Sequence, residues 1–340
     1  MTAETYEGTI LHGPEFDDIR GRVVVEHDRI EAIEEDDVAG DDIIIPAFVN
    51  AHTHVGDSIA KEAGEGLSLT ELVAPPDGLK HRLLRAADPD EQATAIRRTA
   101  AFMERTGTAA YLDFREGDVD GVELLREAMA DLDVEARAFA RGSVAALDRG
   151  DGFGAPSARD GEYSGEREAA AARGKPFGIH AGERDPDDID GAFDLDPDFI
   201  VHMVHPTQAH LERLARAEIP VVVCPRSNLA TNAGVPPVRE LLERTTVALG
   251  TDNVMLNSPT MFREMEVTAN LADVSAREVL RMATLSGAEI ADLDYGCLEP
   301  GRRAKLVVLD GDSDNLSGAK SIVRAVVRRA GIGDVKTVRL

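Results

Sequence analysis

His52 and His54 stand two residues apart at the end of an apolar run, in Phe48-Val49-Asn50-Ala51-His52-Thr53-His54. If that run is a β-strand, its period of two turns both imidazoles to one face. Two imidazoles on one face can chelate one ion, although an isolated pair in a chain with nine His is a weak signal. Three more candidates end other apolar runs: His180 after Phe177-Gly178-Ile179, His202 after Phe199-Ile200-Val201, and Asp252 after Val247-Ala248-Leu249. Histidines together with one aspartate leave a divalent ion an open position for water, which is the layout of a catalytic rather than a closed structural site. Glu183 lies three residues beyond His180. Alone, a Glu after a strand is usually solvated; beside such a ligand set it is the leading general acid/base.

Stepping from these residues to their supports, eight short β-branched or apolar runs alternate with helical stretches, as in an α/β fold with parallel strands. The expected strands are Ile44 to His54, Ala109 to Phe114, Glu135 to Ala140, a weak one at Phe153 to Ser157, Phe177 to Glu183, Phe199 to Val204, Val221 to Cys224 and Val247 to Asp252. Helical patterns fall at Asp90 to Thr106, Val119 to Asp131, Glu166 to Arg173, Thr207 to Ala217 and Pro237 to Arg244. Residues 49–297 supply the roughly 250 residues that eight strand-helix units need, and the candidate ligands sit at the strands' C-terminal ends, where barrel active sites form. Residues 1–48 and 298–340 read as strands and turns, each too short to be a domain. They are expected to pair into one small β-domain.

Composition narrows the partners. The chain has 340 residues with 63 Asp and Glu against 37 Lys and Arg, a net charge of −26, and only six of the basic residues are Lys. Such a surface repels nucleic acid and anionic membranes, so a small-molecule substrate is expected. The acidic excess is spread along the chain and reads as a halophilic-type, salt-adapted surface. No apolar stretch approaches the length of a membrane span and no secretory leader is apparent, so a cytoplasmic location is expected. Cys224 and Cys297 form no thiolate metal motif. Any metal must therefore rest on His and carboxylates. Homo-oligomerisation stays open.

The ordered set VNAHTH, HAGE, VHMVH, VCPRSN and LGTDN resembles the amidohydrolase superfamily, in particular its cytosine deaminase-like and adenosine deaminase-like aminohydrolases. The resemblance implies a distorted (β/α)8 TIM barrel with a small β-sandwich domain formed from both termini. It implies that His52, His54, His180 and Asp252 ligate one divalent transition metal, zinc or iron(II). Glu183 is then the proton shuttle, Asp252 also a base, and His202 the residue that steadies the attacking oxygen; His205, from the same VHMVH, is the less favoured choice. Binuclear members bridge two metals through a Lys at the end of the fourth strand, and no Lys lies between Lys80 and Lys175, so a mononuclear site is expected.

The activity implied is hydrolysis of a non-peptide C–N bond, foremost deamination of an amino-substituted purine, pyrimidine, pterin or nucleoside. Ring opening of a cyclic amide, as in imidazolonepropionase-like members, and hydrolytic dehalogenation use a compatible residue set. A non-catalytic metal-binding scaffold is a further alternative, against which stands the non-ligating Glu183. Substrate contacts are expected from His81, Arg115, Arg141, Arg226 and Asn228, with Arg115 and Arg141 suited to an anionic group. His12, His27 and His210 are expected at the surface.

Overall fold

The computed structural model describes residues 4–340. Strands β1 (Glu4–His12), β2 (Asp17–Glu26), β3 (Arg29–Glu35) and β4 (Ile43–Pro46) precede the barrel strands. These are β5 (Phe48–His54), β6 (Thr108–Arg115), β7 (Glu135–Ala140), β8 (Gly152–Ser157), β9 (Phe177–Ala181), β10 (Phe199–His202), β11 (Val221–Val223), and the pair β12 (Val247–Leu249) and β13 (Asp252–Asn253). Two more, β14 (Leu306–Leu309) and β15 (Val335–Arg339), return to the N-terminal strands. They complete a six-stranded sheet in the order β15-β14-β4-β1-β2-β3.

The expected first strand divides at Ala47. Pro46 cannot donate to a ladder, the Ala47 N–H goes to the Lys305 carbonyl at 3.0 Å, and the Phe48 N–H goes to the Gly107 carbonyl at 2.8 Å. The chain thus passes from one sheet to the other within three residues. In β4, Ile43 and Ile45 join the barrel core while Ile44 joins a smaller core with Ile10, Val23, Val25 and Leu306. Strand alternation thereby fastens the terminal sheet to the barrel with one face and leaves the other for its own core.

Parallel pairing runs from β5 through β12, and β13 pairs back with β5. The barrel closes because its eighth strand kinks between β12 and β13. Gly250 donates to the Val223 carbonyl on one side, and Thr251 donates to the His52 carbonyl on the other. A Cβ on Gly250 would lie 2.7 Å from that of His52, so only glycine permits the approach that sets Asp252 beside the histidine strand. Beneath the histidines lies a layer of three rings: Phe114 and Phe139 stack at 5.5 Å, and Phe139 meets Phe199 edge-on at 5.3 Å. Cβ atoms at Gly152, Gly154 and Gly178 would strike these rings at 2.4–2.7 Å. The low strand propensity of Gly152–Ser157 is therefore the space that the aromatic floor requires.

Helices cover the barrel by their apolar faces. Pro89–Arg105 buries Ile96, Thr99, Ala100 and Met103, one face of a 3.6-residue period, and Asp88 caps its first turn. The C-terminal piece also contains a helix, Ile322–Arg328, whose Val323, Val326 and Val327 join the barrel core. No helix among the described residues is long and apolar enough to cross a membrane.

With a net charge of −26 the folded state suffers self-repulsion, which the roughly 30 Å Debye length of 0.01 M salt transmits across the surface and the roughly 3 Å length of 1 M salt does not. The melting midpoint should rise from dilute buffer into molar KCl. Thermal melts over a KCl series check this, and a flat or falling midpoint would refute salt adaptation of the surface.

Candidate active site

β5 brings His52 and His54, β9 brings His180, the end of β10 brings His202, and β13 brings Asp252 to the C-terminal mouth of the barrel. Ligand atoms of His52, His54 and His180 lie within 4.8 Å of one another, as do those of His52, His202 and Asp252. His52 Nε2 is 3.3 Å and His54 Nε2 3.5 Å from Asp252 Oδ1. Hydrogen bonds orient two of the rings. His54 Nδ1 lies 3.0 Å from the Phe114 carbonyl and His180 Nδ1 lies 2.9 Å from the Ala155 carbonyl. A carbonyl only accepts, so each Nδ1 carries the proton and each Nε2 presents a lone pair.

Both ring nitrogens of His52 and Oδ1 of Asp252 are buried without a hydrogen bond. Unpaired groups of this kind are costly unless an ion satisfies them. Burial pushes His52, His54 and His180 down, His54 to about 3. Burial also opposes ionisation of Asp252, but the close approach of His52, 3.3 Å away, and the nearby His202 outweigh it and hold the carboxyl well below the usual range. Neutral imidazoles converging with one carboxylate are the donor set that a divalent transition metal requires.

The remaining groups form a chain beside this cluster. Asn228 Nδ2 lies 3.1 Å from His202 Nδ1 and 3.3 Å from Glu183 Oε1, while His202 Nε2 is 3.6 Å from Glu183 Oε2. Burial and then the charge of Asp252 raise the Glu183 carboxyl, against the lowering effects of His202 and Asn228. It therefore holds a proton to higher pH than a solvated Glu. Ser227 Oγ donates to Asp252 Oδ2 at 2.5 Å and fixes the other carboxylate oxygen. His202 and Asp252 have φ of 84° and 55°, left-handed values uncommon outside glycine that concentrate at functional sites.

A cleft opens over His54, His180, His202, Glu183 and Asp252, with Lys80 and Arg141 also in its wall. Lys80 Nζ is 2.7 Å from Glu116 Oε1 and 3.2 Å from Asp57 Oδ2. Arg141 Nη1 is 2.8 Å from the same Glu116 oxygen, which also lies 3.0 Å from His54 Nδ1. The sequence-based reading passes over Lys80, Asp57, Asp113 and Ser227. A buried Lys is unusual, but nothing in the local pattern marks Lys80 as buried.

The other expected substrate contacts lie elsewhere. His81 Nε2 is 3.1 Å from the Val73 carbonyl. Arg115 is buried, its Nη1 3.5 Å from Asp113 and its Nη2 3.7 Å from Glu116. Arg226 is occupied by buried Glu264, the Ser258 carbonyl and Asn257. Each guanidinium is drawn to buried acceptors outside the cleft wall. His205 bonds the Ala233 carbonyl at 2.8 Å, away from the ligand cluster. His210 is buried rather than at the surface, because it closes a capping box with Thr207 at the start of the helix Gln208–Ala217.

Residues 43–338 match the amidohydrolase family model. A protein of Methanothermobacter thermautotrophicus, provisionally named an aminohydrolase, is 35% identical over 374 residues, covering 94% of this chain and 96% of the relative. A 5-methylthioadenosine/S-adenosylhomocysteine deaminase of Halobacterium salinarum is 30% identical over 371 residues, covering 91% of this chain and 84% of the relative. Among solved structures, an adenosine deaminase of Xanthomonas campestris with bound zinc aligns at a TM-score of 0.81 and 20% identity, covering 99% of this chain and 91% of that one. That likeness speaks for the fold.

Proposed function

The chain belongs to the amidohydrolase family and is a metal-dependent hydrolase of C–N bonds, and we propose that it deaminates an amino-substituted heterocycle. The observation that carries this reading is the Glu183–Asn228–His202 chain set against the cluster of His52, His54, His180 and Asp252. We assign those four residues as ligands of one divalent ion. Zinc is the preferred metal and iron(II) the alternative, both being suited to imidazole and carboxylate. A divalent ion held there supplies Lewis acidity and lowers the pKa of water toward about 7.

The chain's own groups then divide the proton work. Asp252 Oδ1, free of any hydrogen bond, takes the proton of the attacking water. Glu183, with its raised carboxyl, donates to the ring nitrogen beside the reacting carbon, so that negative charge does not accumulate on the ring. His202, held by Asn228, faces the oxygen on which charge develops. Proton transfer to the exocyclic amine lets ammonia leave and a carbonyl form. The acidic composition supports a setting at high salt.

An ammonia-release screen of purines, pyrimidines, pterins and their nucleosides, run on metal-loaded protein in molar KCl, tests the reading. One ring class should release one ammonia per carbonyl formed, with activity lost on chelation and restored by zinc. Ring opening or halide release without ammonia would move the enzyme to another branch of the family.

A further inference from the structure

Resting on the deaminase reading above, we propose that the heterocycle carries a carboxylate, bound by Arg141 with Lys80 behind it. Lys80 is 2% exposed, one of six lysines in a strongly acidic chain, and sits in the cleft wall. Its ammonium donates to Asn253 Oδ1 at 3.4 Å and is held between two carboxylates, Glu116 Oε1 at 2.7 Å and Asp57 Oδ2 at 3.2 Å. Lys80 is thus fixed and contributes charge.

Arg141 differs. Its Nη1 donates to Glu116 Oε1 at 2.8 Å, and the guanidinium makes no other hydrogen bond among the described residues. Its side chain is 12% exposed and lies in the cleft wall, so Nε and Nη2 keep donors for a ligand in a largely dry setting. A planar guanidinium with free donors matches the two oxygens of a carboxylate.

The donors left on Arg141 favour an anion at this place. Lys80 and Arg141 converge on one oxygen of Glu116, and Arg115 approaches its other oxygen. Asp57 stands beside Lys80 and Asp113 beside Arg115, so the other two cations each have an acid of their own while Arg141 shares Glu116 with them. Elsewhere in the cleft wall both signs occur: Arg159 and Arg184 are paired with Asp185, Asp188 is taken by Ser157 and the Gly182 N–H, and Glu183 faces His202. A ring with its nitrogen edge at Glu183 and a carboxylate at Arg141 satisfies both sides.

The test uses metal-loaded protein in molar KCl and matched pairs, cytosine with 5-carboxycytosine and pterin with 6-carboxypterin, read by ammonia release and by thermal shift. For at least one pair the carboxylated member should have a kcat/KM or an affinity on the order of tenfold to a hundredfold higher. Arg141→Gln should bring that ratio close to one, and Arg141→Lys should recover part of it. A wild-type ratio at or below one in every pair, or a ratio that survives Arg141→Gln, overturns the carboxylate site and leaves deamination standing if ammonia appears. If no ring releases ammonia, a thermal shift confined to the carboxylated member and lost in Arg141→Gln upholds the anion site and rejects deamination. No selective shift overturns the anion site as well.

Discussion

Glu183→Gln should keep its metal and lose on the order of a hundredfold or more in turnover, the scale of a general acid/base contribution. Gln preserves the side-chain volume and an oxygen for Asn228 Nδ2, now 3.3 Å from Glu183 Oε1, but carries no exchangeable acid proton. Glu183 belongs to neither group of converging ligand atoms, so metal content should not move. The pH profile supplies an independent readout. Burial raises this carboxyl, so the protonated donor survives above the ordinary Glu range and is lost as pH rises through the raised pKa. The limb of the profile that falls for this reason should vanish in the Gln variant. His202→Asn should resemble Glu183→Gln, whereas His205→Asn should be milder, because His205 is spent on the Ala233 carbonyl. Metal analysis and steady-state rates decide between the roles, and metal loss without a chemical defect would reverse them.

Much of this site is legible in the chain because its residues lie on regular elements. The spacing of His52 and His54 needs only strand alternation, and the strand Glu135–Ala140 is found with the bounds expected from its pattern. Helix Pro89–Arg105 is likewise marked by its period and by Asp88 and Pro89 at its start. What escapes are the partners that come from distant segments. Lys80, in the first turn of the helix Leu79–Ala86, meets Glu116 from the end of another strand, and Ser227 reaches Asp252 from the short helix Pro225–Ala230 that follows β11. Neither meeting leaves a trace in local sequence. Arg115, Arg141 and Arg226 look alike in the chain, each following a strand, yet Asp113 and Glu264 bury the first and last. Which arginine faces the cleft depends on the acid that each finds, and that is a tertiary fact. The kink at Gly250 is a similar case, since a glycine in a strand can mark a bulge, a bend or a close approach. Only the 2.7 Å to the His52 Cβ identifies it as the last of these.

His52→Ala should lose most of its bound metal and with it activity, and wild-type protein should hold about one transition-metal ion per chain. The reason lies in the state of the site without an ion. His52 leaves two ring nitrogens unpaired at 0% exposure, opposite an Asp252 oxygen that makes no hydrogen bond. The fold thus carries a desolvation cost that binding relieves. Because the ion binds the folded chain, each tenfold excess over its dissociation constant should add about 1.4 kcal/mol to stability. Chelation should therefore lower the melting midpoint of the wild type. In His52→Ala the imidazole that faces Asp252 is gone, so the midpoint should hardly respond to chelator or added zinc. Elemental analysis beside melts with and without chelator measures both effects on one sample. Two tightly held ions per chain, both needed for activity, would overturn the mononuclear assignment, and a His52→Ala variant with full occupancy would remove His52 from the ligands. Lys80 does not supply the missing bridge between two metals, because its ammonium is bound to Asp57 and Glu116 and a protonated amine has no lone pair to offer.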